Sequence, residues 1–160
     1  VMVEFSDYQC PYCKAFVDST LPQIKEKYVN TGKVKFVYRD LPISGHPYAY
    51  PAALIAECVR EQTDDSTYFE MHDYIFENIA AGFDFDTYSA FAATIGANET
   101  ELKDCFDSDK YKDEIAADDA DAGKAGISGT PGFVINNQAV SGARPFEYFE
   151  NIIEEELAKS

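Results

Sequence analysis

The chain has 160 residues, 46% of them apolar and 14% aromatic, which is the size of one ordinary domain with enough apolar mass for a sizeable core. Thirteen Lys and Arg against 29 Asp and Glu leave a net charge of −16 at pH 7, a field that repels nucleic-acid phosphates and anionic membrane surfaces and so argues against both as partners. No run approaches the roughly 20 consecutive apolar residues of a membrane span. The chain itself carries no basic n-region or apolar h-region and opens on a strand-like segment, so it reads as a mature or trimmed domain whose signal peptide or tether would lie upstream. The acidity fits a hydrated surface, and a high-salt habitat is one way to arrive at it.

In chain order, the first strand is expected over residues 1–5 (Val-Met-Val-Glu-Phe), followed by a helical stretch from Pro11 to about Asn30 and a second strand over residues 34–38, bounded by Gly32 and Pro42. That is a βαβ unit. Residues 48–124 show only helical patterns, predicting four or five short helices, among them residues 52–62 and 99–107. Asn98 followed by Glu101 suggests a reciprocal capping arrangement. Residues 132–135 and 138–140 flank Asn136-Asn137 and predict a β-hairpin. Pro145 is suited to a first helical turn, and Phe146, Phe149, Ile153 and Leu157 recur at helical spacing, so the last helix should lie across the sheet. The fold class is α/β: a mixed sheet flanked by helices, formed by 1–47 and 125–160, with 48–124 as an inserted helical subdomain.

The chemistry concentrates at Cys10-Pro11-Tyr12-Cys13, which directly follows a strand and opens a helix. Pro11 favours the first helical position, which puts Cys10 at the helix N-terminus among unpaired N–H groups. A thiolate there is stabilised, and the thiolate is the nucleophile of disulfide exchange. Cys13, one turn on, is expected to be more buried and to act as the resolving thiol. The pair can then cycle between dithiol and disulfide. Two rival readings are half of a zinc site, for which no second ligand pair has comparable spacing, and a structural bridge closing a loop too small to contribute much.

Glu4, six residues before Cys10, is a candidate proton donor and acceptor for Cys13, provided that it lies desolvated beneath the helix start with Val3 and Phe5 on the opposite sheet face. The alternative is a solvated edge strand. Asp7, Tyr8 and Gln9 are expected on the rim of the site, and His46 and His72 are expected to be structural. Thr130-Pro131, after a Gly/Ser turn and ahead of the hairpin strand, is a good place for a cis peptide bond.

Strand, Cys-Pro-Tyr-Cys at a helix start, helical insertion, Gly-Thr-Pro, hairpin and terminal helix together resemble the thioredoxin-fold thiol-disulfide oxidoreductases, specifically the DsbA-like family, over nearly the whole chain. The resemblance implies Cys10 as exposed nucleophile, Cys13 as resolving thiol, Pro131 as a cis-proline facing the pair, Thr130 as a backbone contact to bound peptide, and Glu4 as a buried proton carrier. Pro11 and Tyr12 would also touch substrate. It further implies a monomeric enzyme without metal or organic cofactor, outside the cytoplasm, that takes protein or peptide thiols as substrates and is reoxidised by a membrane thiol oxidase. Reductase or isomerase chemistry, and a redox-inert peptide-binding module or chaperone, are the competing functions.

Three features depart from the family pattern: Tyr12 stands where strongly oxidising members carry histidine, Gly132 follows Pro131 where a bulkier residue is usual, and the extra N-terminal strand of many members is missing. A glycine at 132 would open the groove or loosen the strand. Cys58 and Cys105 fall on two predicted helices of the insertion and read as a structural disulfide, with two buried free thiols or a metal site as the alternatives. A complete pairing of four cysteines would favour an oxidising compartment.

Overall fold

The computed structural model describes all 160 residues. A four-stranded sheet in the order β2-β1-β3-β4 lies at its centre. Strand β1 (Met2–Ser6) pairs parallel with β2 (Phe36–Asp40) and antiparallel with β3 (Gly132–Ile135), and β3 pairs antiparallel with β4 (Gln138–Ser141). Strand β1 is an inner strand with both edges paired, apolar clusters cover both of its faces, and four of its five residues are buried. This excludes the solvated-edge alternative for Glu4.

The first helical stretch is segmented. Helix α1 (Pro11–Ser19) ends at Thr20, and a short α2 (Leu21–Ile24) runs into a π turn over Lys25–Val29, closed by the Asn30 N–H on the Lys25 carbonyl at 2.8 Å. Pro22 has no N–H to offer the preceding turn, so the continuous ladder cannot pass it. Strand β2 begins two residues later than the sequence pattern suggests. The N–H groups of Lys33 and Val34 both go to the Tyr28 carbonyl and close the helix end, and the Met2–Phe36 register then sets the strand.

The helical segment contains α3 (Ala49–Gln62), α4 (Asp65–Asn78), a 3-10 turn (Ile79–Ala81), α5 (Phe85–Thr94), α6 (Glu99–Asp107) and α7 (Lys112–Lys124). Asp64, Asp84 and Asn98 cap α4, α5 and α6 through side-chain oxygens that accept the N–H three residues on, which satisfies donors the helices leave unpaired. The Asn98 cap is not reciprocal: its own N–H donates to Gln62 Oε1 at 2.7 Å, so the end of α3, not Glu101, completes it. Helix α8 (Phe146–Ala158) starts one residue after Pro145, which is extended at ψ 161° and stands just outside the first turn.

Two apolar clusters meet at the sheet. Phe16 of α1, Phe133 of β3 and Phe149 of α8 pack ring on ring at 4.6–5.5 Å between centroids, with Met2, Leu21, Ile24 and Ile153 around them. Each such fully buried side chain contributes roughly 1.5–3 kcal/mol. A second cluster fills the space among α3–α6 and reaches out to Tyr8, Cys10, Cys13 and Tyr38. The sulfurs of Cys58 in α3 and Cys105 in α6 are bonded, with Cα atoms 5.9 Å apart. No helix is long and apolar enough to cross a membrane.

Candidate active site

Cys10 occupies the N-cap of α1, with Pro11 at the first helical position, and its backbone is extended (φ −72°, ψ 122°). Cys10 is not exposed as the resemblance implies: the residue is 6% exposed, its sulfur lies 3.6 Å from the Thr130 carbonyl, and both it and Cys13 are buried free thiols. The Cys13 thiol donates to the Cys10 sulfur, and the Thr130 hydroxyl and the N–H groups of Cys13 and Tyr12 help; together they override partial burial and pull the Cys10 pKa down to about 5. Cys13 is fully buried. Burial first, then its hydrogen bond to Cys10 and the nearby charge of Glu4, push its thiol far up. At neutral pH one sulfur is therefore ionised while its neighbour keeps its proton.

Glu4 is 0% exposed, and neither carboxylate oxygen has a hydrogen-bond partner. Desolvation pushes its pKa up to about 8, with the Cys10 charge adding to the effect and Ser6 and Lys25 opposing it. It lies in register with Tyr38 and Phe133, on the sheet face opposite Val3 and Phe5. Tyr38 packs in the same cluster as Cys10 and Cys13, so Glu4 sits on the cysteine side of the sheet.

The Thr130–Pro131 peptide bond is cis. Pro131 is buried and Thr130 half-buried, while Pro11 and Tyr12 are open to solvent, Tyr12 at 69%. Gly132 does not open the groove or loosen the strand. It is buried in β3, and a Cβ there would lie 2.3 Å from Ile127 Cγ2 and 3.1 Å from the Gly129 carbonyl. Ile127 fills the space that a larger side chain at 132 would need.

Asp7 and Tyr8 are not rim residues. Both are 1% exposed; Tyr8 packs against Tyr38, Phe76 and His72, and only Gln9 reaches the surface region. The Asp7 carboxylate accepts the N–H groups of Gln9 and Cys10 on one oxygen and that of Ile43 on the other, which also meets His46 Nδ1. The sequence does carry a signal for the first half of this arrangement, since an Asp two and three residues ahead of turn N–H groups forms an Asx-turn. The second half joins residues 36 and 39 positions apart and has no local signature. His72 is fully buried among Tyr8, Tyr38, Phe69 and Phe76, with Nδ1 on Asp73 at 2.7 Å.

A mixed sheet flanked by helices, with a Cys-Pro-Tyr-Cys turn facing a cis-proline, defines a thiol-disulfide exchange scaffold. A sequence model of the thioredoxin family matches residues 1–155. The chain belongs to that family. It is 28% identical over 164 aligned residues to disulfide bond formation protein D of Bacillus subtilis, covering 98% of this chain and 72% of the relative. Among solved structures, oxidised BdbD of Bacillus subtilis superposes with a TM-score of 0.86 at 25% identity, over 98% of this chain and 86% of that one. Alpha-DsbA1 of Wolbachia pipientis gives 0.83 at 26% identity, over 99% and 85%. The structural neighbours are thus DsbA-like. The putative protein-disulfide oxidoreductase of Rickettsia typhi also matches, at 26% identity, and the chain spans 50% of its length.

Proposed function

We propose that the chain is a dithiol-disulfide oxidoreductase that oxidises the thiols of polypeptide substrates through Cys10 and Cys13. The observation that carries this reading is the geometry of the pair: Cys10 at the N-cap of α1 with its sulfur 3.6 Å from the Thr130 carbonyl ahead of a cis-proline, and Cys13 fully buried on the first turn, an environment that lowers the Cys10 pKa to about 5 and raises that of Cys13. A substrate thiolate attacks the Cys10 sulfur of the disulfide, breaks the bond to Cys13 and forms a mixed disulfide. The Cys13 sulfur leaves as a thiolate and takes a proton from Glu4, whose carboxyl is still partly protonated near neutral pH. The substrate's second thiolate then attacks its own mixed-disulfide sulfur and expels Cys10, which leaves readily because its thiolate is stabilised. The substrate gains one disulfide and loses two electrons, the pair is left as Cys10 thiolate and Cys13 thiol, and Glu4 regains its proton from solvent.

Stabilising the reduced form by holding the Cys10 thiolate makes the disulfide more oxidising, which favours the oxidase direction over reductase chemistry. Pro11, Tyr12, Thr130 and Pro131 line the approach to Cys10 and serve as the peptide-binding surface. Residues 1–47 and 125–160 form the redox domain, and 48–124 the inserted helical subdomain. The bonded Cys58 and Cys105 support an extracytoplasmic site of action, where disulfides persist. The protein acts as a monomer, and a membrane thiol oxidase restores the Cys10–Cys13 disulfide.

A Cys13→Ala variant tests the reading. Presented with a peptide disulfide, its Cys10 thiolate should attack one sulfur, expel the other as a thiolate and accumulate a mixed disulfide at Cys10 that reductant releases. A redox-inert binding module would bind the same peptide with and without Cys13 and form no adduct.

A further inference from the structure

One buried group in the site has no part in the exchange steps above, although it touches both cysteines' surroundings. The Asp7 side chain is fully enclosed. Its Oδ1 accepts the N–H of Gln9 at 2.7 Å and of Cys10 at 3.1 Å, and its Oδ2 accepts the N–H of Ile43 at 2.7 Å and lies 2.8 Å from His46 Nδ1. The Asp7 main-chain N–H donates to Cys13 Sγ at 3.5 Å. A second link runs parallel to it: Gln9 Oε1 accepts the Tyr48 N–H at 2.7 Å.

We propose that the Asp7 carboxylate is a positioning residue for the Cys10–Cys13 pair, locking the active-site turn to the 41–46 loop through Ile43 and His46 so that the two move as one unit. The proposal rests on the dithiol-disulfide reading of the pair. Four donors converge on two oxygens, which uses a carboxylate's acceptor capacity and leaves no place for a donor. An asparagine in either orientation would set its NH2 against two of the four donors, and unpaired buried donors are costly. An Asx-turn alone needs only the first oxygen; the second reaches a loop that arrives after β2 and belongs to a different part of the chain.

The consequence for Cys10 is geometric. Its own N–H is committed to Asp7, so the N–H groups available to its sulfur are those of Tyr12 and Cys13. They point at the sulfur only while the turn keeps its shape. His46, 31% exposed, carries the lock to the surface beside Tyr48, so a substrate that displaces the 41–48 segment would act on the same turn.

The test compares wild type, Asp7→Ala, His46→Phe, His46→Asn and the Asp7→Ala/His46→Phe double variant. Each is equilibrated with reduced and oxidised glutathione, and the thiolate is titrated by its ultraviolet absorbance, with folding checked by circular dichroism. Asp7→Ala is expected to shift the glutathione equilibrium at least tenfold toward the disulfide, and to raise the pH at which the thiolate forms. His46→Phe should move both readouts in the same direction by a smaller factor, and His46→Asn, which keeps a donor in place of Nδ1, should restore wild-type values. The double variant should match Asp7→Ala within about twofold, because the two side chains act through one link.

A purely electrostatic role for Asp7 predicts the opposite sign, since removing a negative charge near Cys10 favours its thiolate and makes the pair more oxidising. That result, or redox values unchanged in folded variants, overturns the proposal. Should Asp7→Ala not fold, the contrast between His46→Phe and His46→Asn decides on its own: equal behaviour of the two overturns it. A wild-type protein that does not exchange with glutathione at all would instead sink the redox reading beneath it.

Discussion

Replacing Glu4 by Gln removes a fully buried carboxyl beside the cysteines that has no hydrogen-bond partner, and the structure sets how the loss should depend on pH. Burial carries the Glu4 pKa from 4.5 to about 8, and at 1.36 kcal/mol per pKa unit that difference corresponds to up to about 5 kcal/mol of linkage between folding and proton binding. The folded chain holds this proton more tightly than the unfolded chain. Between about pH 4.5 and 8 the native state therefore binds more protons, and wild-type stability falls as pH rises through that window, relative to a variant that cannot titrate there. The contribution is fully present below the unfolded pKa and is lost as pH climbs to the folded one. Urea unfolding of reduced wild type and Glu4→Gln, at half-unit steps from about pH 5 to pH 8, isolates the effect, because the other titrating groups are common to both proteins. The stability difference should tilt in favour of Glu4→Gln by about 1 kcal/mol per pH unit. Parallel curves across the window would refute the reasoning, since Glu4 would then be hydrated or already ionised.

Other parts of the molecule give sharper, smaller tests. Alkylation of reduced protein by iodoacetamide should rise with pH around a midpoint near 5, set by Cys10, and because the chain is still negatively charged there, with a pI of about 4.3, added salt should move that midpoint down by relieving repulsion of the thiolate; a midpoint near that of a free thiol would contradict the assigned partners. Removing the bridge with Cys58→Ala/Cys105→Ala opens a loop with a sequence separation of 47 and should lower unfolding free energy by about 4 kcal/mol on the chain-entropy model, measured by denaturant unfolding. Gly132→Ala should cost about 1–3 kcal/mol through overpacking against Ile127, and Ile127→Ala in the same chain should recover part of that loss; strictly additive effects would mean that the two positions do not meet.

Much of the architecture is readable from local rules. Cys10 at a helix start follows from Pro11 and the hairpin from Asn136-Asn137 between two apolar runs, while the Gly/Ser turn before Pro131 marks a place suited to the cis bond that the structure shows. What local patterns miss is what distant segments decide. The start of β2 moves from 34 to 36 because Tyr28 captures two N–H groups, and the Asn98 cap is completed by Gln62 from another helix. The polar character of Asp7 suggests a rim, yet its burial follows from donors that arrive with Ile43 and His46. Gly132 reads as a gap in the groove until Ile127 is seen to occupy the space. In each case a side chain's surroundings, rather than its propensity, settle its role.

If the environment of Cys10 and Cys13 makes their disulfide an oxidant, the reduction potential of that pair must show it. Equilibration of the protein with a glutathione redox buffer, read by the fraction of reduced Cys10–Cys13, should give a value between roughly −120 and −200 mV, near those of disulfide-donating members of the superfamily. A value at or below about −270 mV, the range of a thioredoxin reductant, would make the pair a reductant and reverse the direction of electron flow.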